Sequence, residues 1–289
     1  MDRGDRPILV TGATGSTGRA VLEALTGRGV PVGAMVRRET DRDGMPAGVE
    51  VAVADFDDAA SVTAALQGAG QAYLVTPSSE RAGSQQRRFA DLAAQAGVGH
   101  LVVLSQLAAD EKSPDRFLRY HGEVEEHVRG LGIGYTFLRP NLFFQGLLAF
   151  AGMISAEGRF YAPIGDAKVS AIDVRDIAAV AAITLTEAGH EGPTYTLTGP
   201  ASITHQDMAA ALSAALGRDI FFADVAPDAF AAGLSGILPP WQIDGLLEDY
   251  AHYRRGQAAE VTTTVADITG RPAGDIGRFA RDYAAAFRA

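Results

Sequence analysis

The feature that most constrains this chain is a regular alternation through its first half. Short apolar runs at 8–11, 31–36, 49–54, 71–75, 100–104 and 134–138 are separated by Ala-rich amphipathic stretches at 18–26, 59–66, 84–96 and 116–131. Short β-branched runs interleaved with helical periodicity are the pattern of βαβ units, which bury their strands under helices on both faces of a parallel sheet. Leu101-Val102-Val103-Leu104 is apolar at every position, as a strand covered on both faces requires. The pattern predicts an α/β fold with a Rossmann-type doubly wound parallel sheet.

Between the first run and the first helix stands Thr11-Gly12-Ala13-Thr14-Gly15-Ser16-Thr17-Gly18. In a strand, turn, helix context this spacing has a physical purpose. Gly12 takes the tight turn, Gly15 lets backbone N–H groups approach a pyrophosphate, and Gly18 lets the helix sit close on the strand. The helix start then offers unpaired N–H donors and partial positive charge to phosphates. The second run ends in Val36-Arg37-Arg38, about twenty residues past the last glycine. A carboxylate there would accept from a ribose hydroxyl, whereas Arg37 can pair bidentately with a 2′-phosphate, so NADPH is the expected cofactor. Asp55, after the third run, is a candidate acceptor for the adenine amino group or a solvated loop carboxylate.

After Arg139-Pro140 the rhythm loosens. The expected organisation is an NAD(P)-binding Rossmann domain over 1–140 and a smaller, mainly substrate-binding lobe over 141–289. A helix over 173–185 and a strand over 193–197 would return residues 170–200 to the main sheet. A further helix opens near Thr204 and runs through Leu216; Leu238-Pro239-Pro240-Trp241 is a loop or helix start, and 276–287 reads as one closing amphipathic helix.

Composition narrows the function. The 289 residues carry 25 Lys plus Arg against 35 Asp plus Glu, a formal charge of −10 that repels a nucleic-acid backbone or an anionic membrane. With no cysteine there is no disulfide and no thiolate nucleophile, and the six histidines lack metal-ligand spacing, so no metal is expected. No apolar stretch approaches a membrane span and no signal peptide is readable before Val10, which makes the cytoplasm the expected location. Only two basic residues are lysines, Lys112 and Lys168, and the positions four before them hold Ala108 and Ile164. A Tyr-Lys acid–base pair on one helix face is therefore excluded. Quinones and cationic dyes, which take up hydride with little proton assistance, remain reachable.

Beyond the glycine motif, Tyr135–Asn141 (YTFLRPN), Ser170–Ala178 (SAIDVRDIA) and Tyr195–Pro200 (YTLTGP) give the chain its resemblance to the NmrA-like branch of the atypical short-chain dehydrogenase/reductases. Within the branch it is most similar to type 2 NAD(P)H:quinone oxidoreductases and the related triphenylmethane-dye and azo reductases, whose His-x-x-x-Glu-like stretch is matched by His121 to Glu125. The resemblance implies a reductase acting on an aromatic or conjugated carbonyl compound.

In a doubly wound sheet ligands bind beyond the carboxyl ends of the strands. The candidate cofactor contacts are Thr11, Gly12, Thr14, Gly15, Ser16, Thr17, Gly18, Arg37, Asp55, Phe56, Thr76, Pro77, Ser78, Ser105, Pro140, Asn141 and Phe143. Gln106, Phe144 and Trp241 are candidate substrate contacts. His121, at the expected start of its helix, is the candidate catalytic donor or proton source, or simply a polar residue at an exposed helix end. Two other functions fit the same residues: a non-catalytic NADP(H)-sensing regulator of the NmrA type, and a tailoring reductase or isomerase of a biosynthetic pathway. A homodimer is compatible with the sequence.

Overall fold

A computed structural model describes residues 6–288. In chain order the elements are β1 (Ile8–Val10), α1 (Ser16–Thr26), β2 (Val32–Val36), β3 (Glu50–Val53), α2 (Ala59–Leu66), β4 (Gln71–Leu74), α3 (Ala82–Gln95), β5 (His100–Leu104), α4 (Arg116–Arg129) and β6 (Gly134–Pro140). There follow α5 (Ala151–Glu157), β7 (Arg159–Ala162), α6 (Val174–Thr186), β8 (Thr194–Leu197), α7 (His205–Leu216), β9 (Phe221–Asp224), α8 (Pro227–Leu234), α9 (Pro240–Arg254), α10 (Thr264–Thr269) and α11 (Ile276–Asp282).

Seven strands form one sheet in the order β3-β2-β1-β4-β5-β6-β8. The pairings from β3 through β6 are parallel, with registers such as Ile8 beside Val32 and Gln71, and Val102 beside Thr136. This is the doubly wound Rossmann fold that the alternation predicts. Strand order reverses between β1 and β4, which opens a crevice at their carboxyl ends. One face of the sheet buries Leu9, Leu74, Leu101, Val103 and Phe137 against Leu66 of α2, Phe89 of α3 and Val124 and Val128 of α4. Burying such side chains contributes roughly 1.5–3 kcal/mol each, so the helices are fixed on the strands that carry the loops.

The chain divides into two compact units. The first comprises the chain up to Pro114, Leu118–Arg139 and Ile177–Thr196; the second comprises Asp115–Phe117, Pro140–Asp176 and the chain from Leu197 onward. In the second unit β7 and β9 pair in parallel, a small sheet that no periodicity in the sequence revealed. Its closing segment is not one helix. At Tyr283, with φ −100° and ψ 10°, α11 gives way to a 3-10 turn over Ala284–Phe287. The tighter turn lets Phe287 bury completely, its ring 6.3 Å from that of Phe279. Among the described residues no helix is long and apolar enough to cross a membrane.

Candidate functional site

The glycine loop shows why its residue types are required. Gly12 has φ +59°, and a Cβ there would lie 2.6 Å from Val75 Cγ1. A Cβ on Gly18 would lie 2.3 Å from the Gly12 carbonyl oxygen, so the first turn of α1 rests directly on the loop. Gly15 caps α1 in an extended conformation, has no side chain to accept the first N–H groups, and the first turn holds no acidic residue. Those donors are left for a ligand.

The loop just before α1 borders a cavity of about 560 Å³ lined by Gly12, Ala13, Thr14, Val36, Arg37, Arg38, Asp41, Asp55, Phe56, Asp57, Pro77, Ser79, Arg81 and Gln85, among others. It therefore gathers Gly12, Thr14, Arg37, Asp55, Phe56 and Pro77 from the expected set. The two arginines after β2 differ in state. Arg38 donates to Asp41 at 2.8 Å, and this partner raises its pKa above the ordinary arginine value. Arg37 is exposed on the wall and forms no hydrogen bond or ion pair among the described residues. Asp55 is exposed and accepts the Asp57 N–H at 2.9 Å through one carboxylate oxygen, which leaves the other free. Phe56 is half-buried, edge-on to Phe89 with centroids 5.9 Å apart.

Sequence reading missed Asp41, Asp57, Ser79, Arg81 and Gln85. Asp41 carried a signal, three residues after Arg38. Asp57 did not: it pairs with Arg81 and accepts from Gln85 Nε2 at 3.1 Å, contacts with the cap and first turn of α3, far away in sequence.

Several expected site residues are engaged in the fold instead. Thr11 is fully buried; its hydroxyl donates toward the Tyr73 and Val75 carbonyls and accepts the Val75 N–H, tying β1 to β4. Thr17 and Gly18 are buried within α1, Thr76 accepts from Gln86 Nε2, and the exposed Ser78 does not line the cavity. Gly15 and Ser16 are exposed at the helix start. Ser105 is buried and donates to Glu125 at 2.5 Å. Gln106 follows it, half-buried.

Pro140, Asn141, Phe143, Phe144 and Trp241 belong to the second unit. Asn141 is buried there, donating to Ser170 Oγ and the Ala258 carbonyl and accepting the Leu142 N–H, so both its amide donors are taken by its own unit. Phe144 is 2% exposed and packs 5.7 Å from Phe279, which makes it core rather than an accessible substrate wall. Phe143 is half-buried and pairs its backbone with Ile172. Trp241 is half-buried, its ring 5.2 Å from Phe117 and beneath the Arg116 guanidinium.

His121 is not at a helix start. It lies inside α4, 9% exposed, with Nδ1 buried and unpartnered among the described residues. Burial first, and the positive charge of Arg139 second, push its pKa down to about 3. The imidazole is therefore neutral at physiological pH, with one ring nitrogen able to donate a hydrogen bond and the other to accept one.

Three known proteins resemble this chain over most of its length. An enzyme of Streptomyces griseus, (4-alkanoyl-5-oxo-2,5-dihydrofuran-3-yl)methyl phosphate reductase, is 39% identical over 97% of this chain and 99% of its own. An NAD(P)H azoreductase of Xenophilus azovorans is 37% identical over 98% and 99%. The NADPH-dependent quinone oxidoreductase of Escherichia coli, in its crystal structure with NADPH, superposes with a TM-score of 0.85 at 31% identity, covering 95% of this chain and 99% of its own. A family model matches residues 4–260, and the chain belongs to the NmrA-like family.

Proposed function

We propose that this protein is an NADPH-dependent reductase that delivers hydride to small conjugated acceptors: quinones, azo compounds or doubly activated alkenes. One observation carries the cofactor assignment. Gly12 and Thr14 of the loop that leads into the uncapped start of α1 line one cavity together with an arginine that has no hydrogen bond or ion pair among the described residues. The N–H groups at the start of α1 hold the pyrophosphate, and Arg37 holds the 2′-phosphate that distinguishes NADPH from NADH. The cradle suits a dinucleotide because the missing side chains at Gly12 and Gly18 let the loop close against Val75 and let α1 rest on the loop, which brings the helix start close to the strand.

When bound, the cofactor supplies a hydride equivalent. The chain's residues orient the acceptor without acidifying it: no Tyr-Lys pair exists, and His121 is neutral. Without a strong acid, the acceptors that react are those that spread the incoming negative charge over their own π system. The relatives fit this class. A quinone and an azo compound both do so, and the dihydrofuranone of the Streptomyces enzyme carries an alkene conjugated to a ring carbonyl and an acyl carbonyl. That likeness also favours a tailoring role within the same chemistry, on an acyl-lactone substrate.

The test is anaerobic NADPH consumption by the purified protein against a benzoquinone, an azo dye and a 2-acyl butenolide. The expected result is turnover with at least one, faster with NADPH than with NADH. Tight NADPH binding with no turnover on any of the three would replace the reductase with a cofactor sensor.

A further inference from the structure

The arginines that line the cavity beside the glycine loop are not equally committed. Arg81 pairs with Asp57 and Arg38 with Asp41, and all four residues lie on the wall. Arg37 is left outside any ion pair among the described residues.

The pairing at the end of β2 follows from local geometry. Residues Glu39–Gly44 form a 3-10 turn capped by Arg38, and in such a turn side chains three positions apart eclipse. Arg38 therefore meets Asp41, donating from Nη2 at 2.8 Å and from Nε at 3.3 Å, and Arg42 meets Glu39 at 2.7 Å. Three residues past Arg37 stands Thr40, which has no charge to offer it. The turn is also fastened from outside, because Arg19 of α1 donates to the Gly44 carbonyl. Within the pair the Asp41 side chain is 14% exposed and that of Arg38 is 67% exposed. The carboxylate is enclosed, while the guanidinium has room to turn if its partner lets go.

A 2′-phosphate carries about −1.5 to −2 charge at neutral pH, more than one guanidinium balances. Two consecutive arginines line this wall, yet only Arg37 is uncommitted.

We infer that Asp41 is a specificity-determining residue: by holding Arg38 in the turn, it keeps the 2′-phosphate subsite at one arginine and so limits the preference for NADPH over NADH. The inference rests on the proposed role of Arg37 and concerns the ratio of the two cofactor affinities.

The experiment is calorimetric titration of NADPH and NADH into full-length wild type, Asp41→Asn and the double variant Arg38→Gln/Asp41→Asn at low ionic strength. Asp41→Asn is expected to bind NADPH about five- to tenfold more tightly, because the released arginine joins the phosphate, and the gain is expected to shrink with added salt. Its NADH affinity is expected to stay at the wild-type value. The double variant replaces the ion pair with a neutral pair, and it is expected to return to wild-type affinity for both cofactors. A gain that survives in the double variant, or an equal gain for NADH, would reduce Asp41 to a repelling charge and overturn the inference. A double variant weaker than wild type for NADPH also overturns it, since Arg38 would then already serve the phosphate. Should Asp41→Asn fail to fold, Asp41→Ser takes its place with the same expectations. Arg37→Gln separates the two possible failures. If that variant keeps full NADPH affinity, the 2′-phosphate reading falls and the inference with it; a selective loss there, beside an Asp41→Asn no tighter than wild type, overturns the inference alone.

Discussion

Two helices of this protein begin in opposite ways. α7 starts with a complete capping box: the Thr204 hydroxyl accepts the Asp207 N–H, and the Asp207 carboxylate accepts the Thr204 N–H at 2.8 Å. α1 starts with Gly15, no side-chain acceptor and no acidic residue in its first turn. Both starts must satisfy N–H donors that have no helical partner. α7 satisfies them from its own sequence; α1 does not, and the loop just before it, at Gly12 to Thr14, lines a cavity whose wall also holds Arg37. The difference teaches where to look for a ligand. A fold that can cap a helix and does not, beside an open cleft with complementary charge, has reserved those donors for an anion.

The comparison can be broken most severely at the glycines. Gly18→Ala places a methyl 2.3 Å from the Gly12 carbonyl. The expected result is a stability loss of about 1–3 kcal/mol and NADPH affinity reduced by more than tenfold, read by thermal melts and calorimetric titration. Gly44→Ala serves as the control: its added Cβ meets nothing within 4 Å, and it is expected to leave cofactor affinity unchanged.

Acid sharpens the contrast between polar groups that face ligands and those sealed in the fold. Burial lowers His121 to about 3 and His205, packed 5.2 Å from Phe222, to about 4. The unfolded chain takes up protons near the ordinary histidine value, and the native state does not. Their contribution is therefore fully present above pH 6.5 and is lost as pH falls from there toward the folded pKa values. Near pH 5 the loss is roughly 2 kcal/mol for each residue, measurable as a drop in the denaturant midpoint. A His205→Phe variant that kept the full acid sensitivity of wild type would contradict this assignment.

The smallest effect belongs to the capped helix. Thr204→Ala removes the box and is expected to lower stability by about 1 kcal/mol while leaving NADPH affinity unchanged. Coupling between the two would dissolve the distinction between a self-satisfied helix start and a reserved one.

How much of this could be read from sequence follows the range of the interactions. The sheet, α1, the glycine cradle and the Thr204 start were legible because each is written in local spacing: period, turn residue, cap. Arg37 was legible as a cation after β2, but the separation of Arg37 from Arg38 depended on a turn that swings Asp41 onto one of them. Thr11, Asn141 and Ser105 sit where ligand contacts were expected, and partners far away in sequence occupy them: Val75, Ala258 and Glu125. Nothing in the local pattern around His121 marked it as buried, and the charge that adds to the effect of burial, Arg139, comes from β6, far along the chain. Phe144 carried the ambiguity of any aromatic residue, and only packing against Phe279 made it core.

The most direct measurement is a paired titration of NADPH and NADH into wild type and Arg37→Gln. The account expects wild type to prefer NADPH, and the variant to lose about ten- to hundredfold in NADPH affinity, as befits a charge-assisted contact, with NADH affinity unchanged. Equal affinity of wild type for the two cofactors, or a parallel loss of both in the variant, would contradict it.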